Sequence, residues 1–211
     1  TEGPHHGLMA AGHYELTADS VALPMRFNVG HIVVDVIVNG KGPFPFVFDT
    51  GAHGNVIDLQ FAREQGMELG SEIMVGSPNG PGRPGNLVSK STLQLGGLTL
   101  TDIPVVAFDG LPFARTAEAP RGVIGPYSLR GLLVIVDYAH ERLVFRRGTL
   151  PAPDGREIFA WDPAKGLPRV TIQVAGHPID VHIDAGAMSG LSLPTAMATE
   201  LPLASQPVKM G

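Results

Sequence analysis

The chain has 211 residues, 44% hydrophobic and only 17% charged, with 27 glycines, 19 prolines and no cysteine. That is apolar enough for a packed core and too poor in charge for a disordered chain, and it excludes disulfides, thiol catalysis and cysteine-ligated zinc. A net charge of −5 without a basic block argues against nucleic acid or an anionic membrane surface as partner, and no apolar run reaches the roughly 18 residues of a membrane span.

Residues 1–28 read as a polar lead-in, loosest over 1–20, with a first short apolar run at 22–27. His5-His6 has no further ligand at a useful spacing, so it reads as a solvated pair and not a metal site. The first residue is Thr1, which a removed leader and a cloning boundary explain equally well. Residues 31–39 read as a strand closed by Asn39-Gly40, the strongest short hairpin signal. The returning strand, 43–48, delivers Asp49 at its end. A carboxylate carried into a core costs free energy unless a partner shares its charge or hydrogen-bonds it, so the question is where Asp49 finds that partner. Gly51 and Gly54 permit tight backbone geometry. Residues 55–59 resume an extended run, and 59–65 predict a short helix stopped by Gly66.

Residues 73–100 predict a long hairpin: 73–75 lead up, 87–95 come back, and 76–85 form a tip rich in glycine and proline. No Gly-Lys-Ser/Thr follows, which excludes a phosphate loop. Two short strands are expected at 98–100 and 103–108, then a loop over 109–121. Gly122-Val123-Ile124-Gly125 is a small-apolar-apolar-small unit, followed by a helical turn near 127–130 and a hairpin of 132–136 with 142–145. A boundary is expected within 148–155. Tyr14, Tyr127 and Tyr138 are expected in the core or an interface, and Trp161 is expected to pack two halves together.

Beyond the boundary the pattern restarts. Arg169–Val174 is a strand, Gly176-His177 a turn, 178–183 the return, and then Asp184-Ala185-Gly186-Ala187. Strand, glycine turn, strand and Asp-x-Gly-Ala thus recur 135 positions later (184 − 49), the mark of an internal duplication. The second copy stops at the point where the first enters its long hairpin. Its half-core is expected to be open, completed by a longer natural chain or by strands from elsewhere.

Two such units point to paired carboxylates. Carboxylates about 3 Å apart cannot both ionise and share one proton. The ionised one can take a proton from a bound water while the protonated one polarises a scissile carbonyl, and the pair titrates as a unit. The small residues after each aspartate, Thr50, Gly51 and Ala52 in one copy and Ala185, Gly186 and Ala187 in the other, let the strand ends approach and bring backbone N–H groups to the carboxylates. Against this stand plain turn roles for Asp49 and Asp184. His53 is either a modulator of the site or a loop histidine.

Phe48-Asp49-Thr50-Gly51-Ala52, with the glycine-rich hairpin and then Val123-Ile124-Gly125, resembles the retropepsin-type aspartic protease family. More narrowly it resembles the bacterial exported members, in which Asn-Gly-x-Gly-Pro-Phe precedes Asp-Thr-Gly-Ala, as residues 39–44 do here. Residues 29–147 match one whole unit and 168–211 the first third of another, with 148–167 as linker. The resemblance implies an all-β fold, a closed retropepsin/pepsin-like β-barrel lobe followed by a partial second lobe of the same type. It implies Asp49 and Asp184 as the catalytic pair, working through water with no metal or organic cofactor on a peptide or protein substrate, in the periplasm or outside the cell. It places a flap at 74–88, including Val75, Gly76, Ser77, Gly80 and Gly82, and Val123, Ile124 and Gly125 beneath the active-site loop; a flap tyrosine of the pepsin kind is not visible. The departure is Ala185. The family carries Thr or Ser there, whose hydroxyl bonds the partner loop; Thr50 can do this and Ala185 cannot. The rivals are a homodimer pairing Asp49 with its symmetry mate, and a protease-like peptide-binding protein that does not cut.

Overall fold

The computed structural model describes residues 12–77, 80–111, 118–162, 166–188 and 190–202. Three strands come first: β1 (His13–Leu16), β2 (Ser20–Pro24) and β3 (Arg26–Asn28). Then β4 (His31–Val38) and β5 (Lys41–Phe48) form a hairpin, with β6 (Asn55–Asp58) and the short helix α1 (Leu59–Glu64) after them. The long arms β7 (Leu69–Ser77) and β8 (Gly80–Leu95) lead to β9 (Leu98–Phe108), β10 (Gly122–Ile124) and a 3-10 turn at Pro126–Leu129. The hairpin β11 (Leu133–Asp137) and β12 (Arg142–Arg146) is followed by a second one, β13 (Arg169–Val174) and β14 (His177–His182), and by α2 (Thr195–Glu200).

Six strands close on themselves in the order β9-β6-β10-β5-β4-β8, with β8 pairing back to β9. Closure leaves these strands no free edge. β1 extends β9, β7 extends β8 and β3 extends β4, while β11, β12 and β2 form a separate three-stranded sheet. The barrel is filled by side chains that alternate inward, among them Val34 and Val36 of β4, Phe46 and Phe48 of β5, Leu93 and Leu95 of β8 and Ile103 and Val105 of β9. The opposite faces of β4, β5 and β10 bury Val33, Val47 and Val123, with Ala52 and Val56 packed beside them. Around Val33 and Val47 the two strands are therefore covered on both sides, so 32–34 and 46–48 read as continuous apolar runs and not as alternation, while Asp35 stays exposed.

Local chemistry accounts for the joints. Asn39 and Gly40 both take positive φ, +49° and +78°, as a two-residue hairpin turn with the right twist requires. Asp58 caps α1 by accepting the Phe61 N–H at 2.9 Å, and Phe61 and Ala62 are the residues that the helix buries.

Several expectations need correction. The stretch read as a loose lead-in supplies β1, β2 and β3, and residues 22–27 divide between β2 in one sheet and β3 in the other. The two strands expected at 98–100 and 103–108 are one, β9. Asp102 adopts φ +53° within it, a conformation that an aspartate tolerates better than a branched residue. Most of the expected tip belongs to the arms β7 and β8, with Val75 opposite Arg83 and Ser77 opposite Gly80; Pro78 and Asn79 lie outside the described residues, as do His5 and His6. The second hairpin turns at Ala175-Gly176, both at positive φ, one residue earlier than expected. Trp161, expected to pack two halves together, is 39% exposed and donates to the Gly166 carbonyl at 3.0 Å. Tyr127 is buried in the core, whereas Tyr138 is exposed and stacks on Phe27.

Candidate active site

β5 delivers Asp49. The strand lies parallel to β10, with Val47 opposite Val123 and Phe48 opposite Ile124. The register carries on one residue past the strand, where the Asp49 N–H donates to the Ile124 carbonyl at 3.0 Å. The Gly51 N–H then turns back to Asp49 Oδ1 at 2.7 Å, and the Ala52 N–H to the Asp49 carbonyl at 3.3 Å. The result is a tight loop whose own backbone faces the carboxylate.

The unit Gly122-Val123-Ile124-Gly125 crosses between β5 and β6 and packs against this loop. Its small ends are dictated by space. A Cβ on Gly125 would stand 2.8 Å from the Gly54 carbonyl oxygen and 3.0 Å from that of Ala52, and one on Gly122 would collide with the Val56 carbonyl and the Phe46 ring. The polar clamp that holds this crossing is Asn55, which the sequence reading missed. It is buried; its Oδ1 accepts from the Gly125 N–H and the Ser128 hydroxyl, each at 3.1 Å, and its Nδ2 donates to the Pro104 carbonyl at 3.2 Å. The available signal was an amide opening an otherwise apolar strand, Asn55-Val56-Ile57.

The second loop has the same internal bonds. The Gly186 N–H donates to Asp184 Oδ1 at 2.8 Å, and the Ala187 N–H to the Asp184 carbonyl at 3.3 Å. The two loops face each other glycine to carboxylate. A Cβ on Gly51 would fall 2.6 and 2.7 Å from the two Asp184 carboxylate oxygens, and one on Gly186 would fall 2.5 and 2.6 Å from those of Asp49. Only glycine at both positions allows this approach. Asp49, Thr50 and Gly51 are thus brought against residues 183–186, whereas Ala52 packs beside Val33, Val47 and Val123 and Ala187 bonds within its own loop.

Thr50 ties the loops together. Its hydroxyl accepts the Ala185 N–H at 2.8 Å and donates to the Ile183 carbonyl at 2.6 Å, so it grips the backbone on both sides of Asp184. Ala185 returns no such bond; its methyl packs against the barrel core instead. The tie is one-sided.

Asp49 is the more enclosed carboxylate, half-buried where Asp184 is exposed. Burial, with the neighbouring Asp184 carboxyl adding to it, raises the Asp49 pKa from 3.8 to about 6, against the opposing N–H groups of Gly51 and Ala52. A carboxyl in this position holds a proton under conditions in which an ordinary one has lost it. His53 stacks its ring on Tyr127, centroids 6.4 Å apart, at the under-loop. Val75, Gly76, Ser77, Gly80 and Gly82 all lie in the β7–β8 hairpin. Among the described residues no cluster of three or more His, Asp or Glu is placed to hold a metal ion, and no helix is long and apolar enough to cross a membrane.

Residues 34–126 match the aspartyl protease family, the family that the segments around Asp49 and Val123 resemble. No curated protein sequence matches the chain. Among solved structures, a retropepsin-like aspartic protease from Rickettsia conorii is 15% identical, with 64% of this chain and 94% of that one covered and a TM-score of 0.40. Conglutin gamma from lupine seeds is 17% identical, covering 63% of this chain and 42% of that one, with a TM-score of 0.31. Basic 7S globulin from soybean is 14% identical, covering 64% and 46%, also with a TM-score of 0.31. The chain therefore spans less than half the length of the two seed globulins.

Proposed function

We propose, from the match of residues 34–126 to the aspartyl protease family, that this protein is an aspartic peptidase whose catalytic pair is Asp49 and Asp184 of one chain. The observation that carries the reading is the reciprocal packing of Gly51 on the Asp184 carboxyl and of Gly186 on the Asp49 carboxyl. It leaves the two acids sharing one small space, where a single proton between them is the favoured state. Asp49, with its raised pKa, holds that proton.

In this mechanism water attacks the carbonyl carbon of a peptide bond and gives its proton to the ionised carboxylate. Asp49 donates a hydrogen bond, and then its proton, to the carbonyl oxygen. Collapse of the tetrahedral intermediate re-forms the carbonyl as one hydroxyl proton returns to Asp49, and breaks the C–N bond as the proton that Asp184 took from water passes to the leaving amine, so the pair ends as it began. The β7–β8 hairpin serves as the flap, and Val123, Ile124 and Gly125 hold the Asp49 loop from below. On the same reading the two loops, alike in their internal bonds, are copies of one unit.

An in-chain pair is favoured over a homodimer because Asp184 already fills the place beside Asp49 that a symmetry mate would need. The test is cleavage of a mixed peptide library by the wild type, Asp49→Asn and Asp184→Asn between pH 3 and 7. Loss of roughly a hundredfold or more in both variants is expected for an acid–base pair. Loss at position 49 alone points to a homodimer. A wild type that binds peptides and cleaves none is a binding protein and ends the peptidase reading.

A further inference from the structure

The β7–β8 hairpin leaves the barrel at a definable point. Asn86, Leu87 and Val88 pair with β9 on one side, while Leu69 and Glu72 pair with Val88 and Asn86 on the other. From Gly85 outward β8 pairs only with β7. Gly85 is the last residue wedged on the barrel wall: a Cβ there would meet Val106 Cγ1 at 2.8 Å and the Ala107 carbonyl oxygen at 3.1 Å. A two-stranded ribbon beyond such a point is weakly held by its own pairing.

Among the described residues, a hydrogen bond reaches past it. Arg83 Nη1 donates to the Gly110 carbonyl at 3.0 Å, joining the projecting arm to the segment that follows β9. The receiving end is shaped for the contact. Gly110 has φ +79°, a conformation that side chains resist, and its N–H is turned onto Asp109 Oδ1 at 2.9 Å. A Cβ at Gly110 would lie 3.1 Å from Arg83 Nη1, so any other residue would crowd the guanidinium. On the opposite arm, Val75 is the register partner of Arg83, so the bond restrains both strands of the ribbon.

We infer that Arg83 is a positioning residue, a latch on Gly110 that sets the angle of the β7–β8 hairpin and so the access of a peptide to the Asp49–Asp184 site. The second half of this inference rests on the peptidase reading; the latch itself does not. The bond is solvent-exposed, so its loss loosens the ribbon without unfolding the barrel.

The experiment compares wild type, Arg83→Ala and Arg83→Lys as full chains. Amide hydrogen exchange is read at residues 73–76 and 82–86, with β4 and β5 as internal reference. Arg83→Ala is expected to exchange roughly three- to tenfold faster in the hairpin, as for loss of one exposed charge-assisted hydrogen bond. The reference strands and the melting temperature should stay unchanged. Arg83→Lys, which keeps a cationic donor, should fall between the two. With a cleavable peptide, Arg83→Ala should raise KM several-fold and change kcat less. Unchanged exchange in the hairpin overturns the latch. Faster exchange with unchanged KM and kcat overturns its role in access. If the wild type cleaves nothing, the peptidase reading fails, and exchange still decides whether the latch exists.

Discussion

Thr50→Val tests the tie between the two loops with the smallest change of shape. Valine keeps the branch and removes the hydroxyl, which accepts from the Ala185 N–H and donates to the Ile183 carbonyl. Each net hydrogen bond contributes about 0.5–1.5 kcal/mol, so the two together are worth about 1–3 kcal/mol. Ala185 is only partly buried, and water can replace part of what is lost, which favours the lower half of that range. The effect should fall on Asp184 and spare Asp49. Asp49 is held independently by its N–H on the Ile124 carbonyl and by the Gly51 N–H on its carboxylate. Asp184 has the matching Gly186 N–H on its carboxylate, but the backbone on both sides of it is tied to the first loop by Thr50, and Ala185 has no hydroxyl to compensate. The expected outcome is a drop in kcat/KM of about tenfold, since about 1.4 kcal/mol corresponds to one decade. Any accompanying fall in the urea midpoint should be modest. Thr50→Ser restores the hydroxyl and should recover most of the loss. Peptide cleavage and urea unfolding, measured on the same preparations, provide the check. A Thr50→Val protein with wild-type kcat/KM would refute the idea that this hydroxyl positions Asp184.

Two further outcomes follow from the geometry. The Asp49 pKa in the folded protein, about 6, lies above its ordinary 3.8. Its contribution to stability is therefore fully present below about pH 3.8 and lost as pH rises through about 6. Asp49→Asn, uncharged throughout, should flatten the fall in urea midpoint between pH 4 and 7; an unchanged slope would place the titration elsewhere. Asn55→Ala strips three hydrogen bonds from a buried position and leaves the Gly125 N–H without its acceptor. A loss of about 2–4 kcal/mol is expected in urea unfolding, and a loss under about 1 kcal/mol would mean that the under-loop does not depend on this amide.

Much of the first unit is legible in residue order because its determinants are local. Asn39-Gly40 specifies a turn, the apolar run before Asp49 specifies a strand, and Gly66 stops a helix. The spacing Asp-x-Gly, met twice, brings two carboxylates forward as a pair before any contact is known. Errors arose where a local signal was overruled at a distance. Glycine and proline in residues 80–85 read as a tip, but pairing with β7 holds them as strand. Residues 12–28 look unstructured alone and become strands because β9 and β4 run on past their barrel partners, where β1 and β3 pair with them, and β12 pairs β2 in the separate sheet.

Residue order alone establishes a strand-built protein with two similar acidic loops, one of which lacks the hydroxyl that its counterpart has. The fold supplies the meaning of that asymmetry. It showed Thr50 serving both neighbours of Asp184 across a separation of 133 to 135 residues. It also showed Asn55 clamping a crossing 70 residues away, and each glycine accommodating the other loop's carboxylate. Turn and strand preferences are set by neighbours along the chain and can be read there. The partner of a hydrogen bond between distant segments is set by barrel closure and by the exclusion of every side chain too large for the gap. No local pattern carries that information.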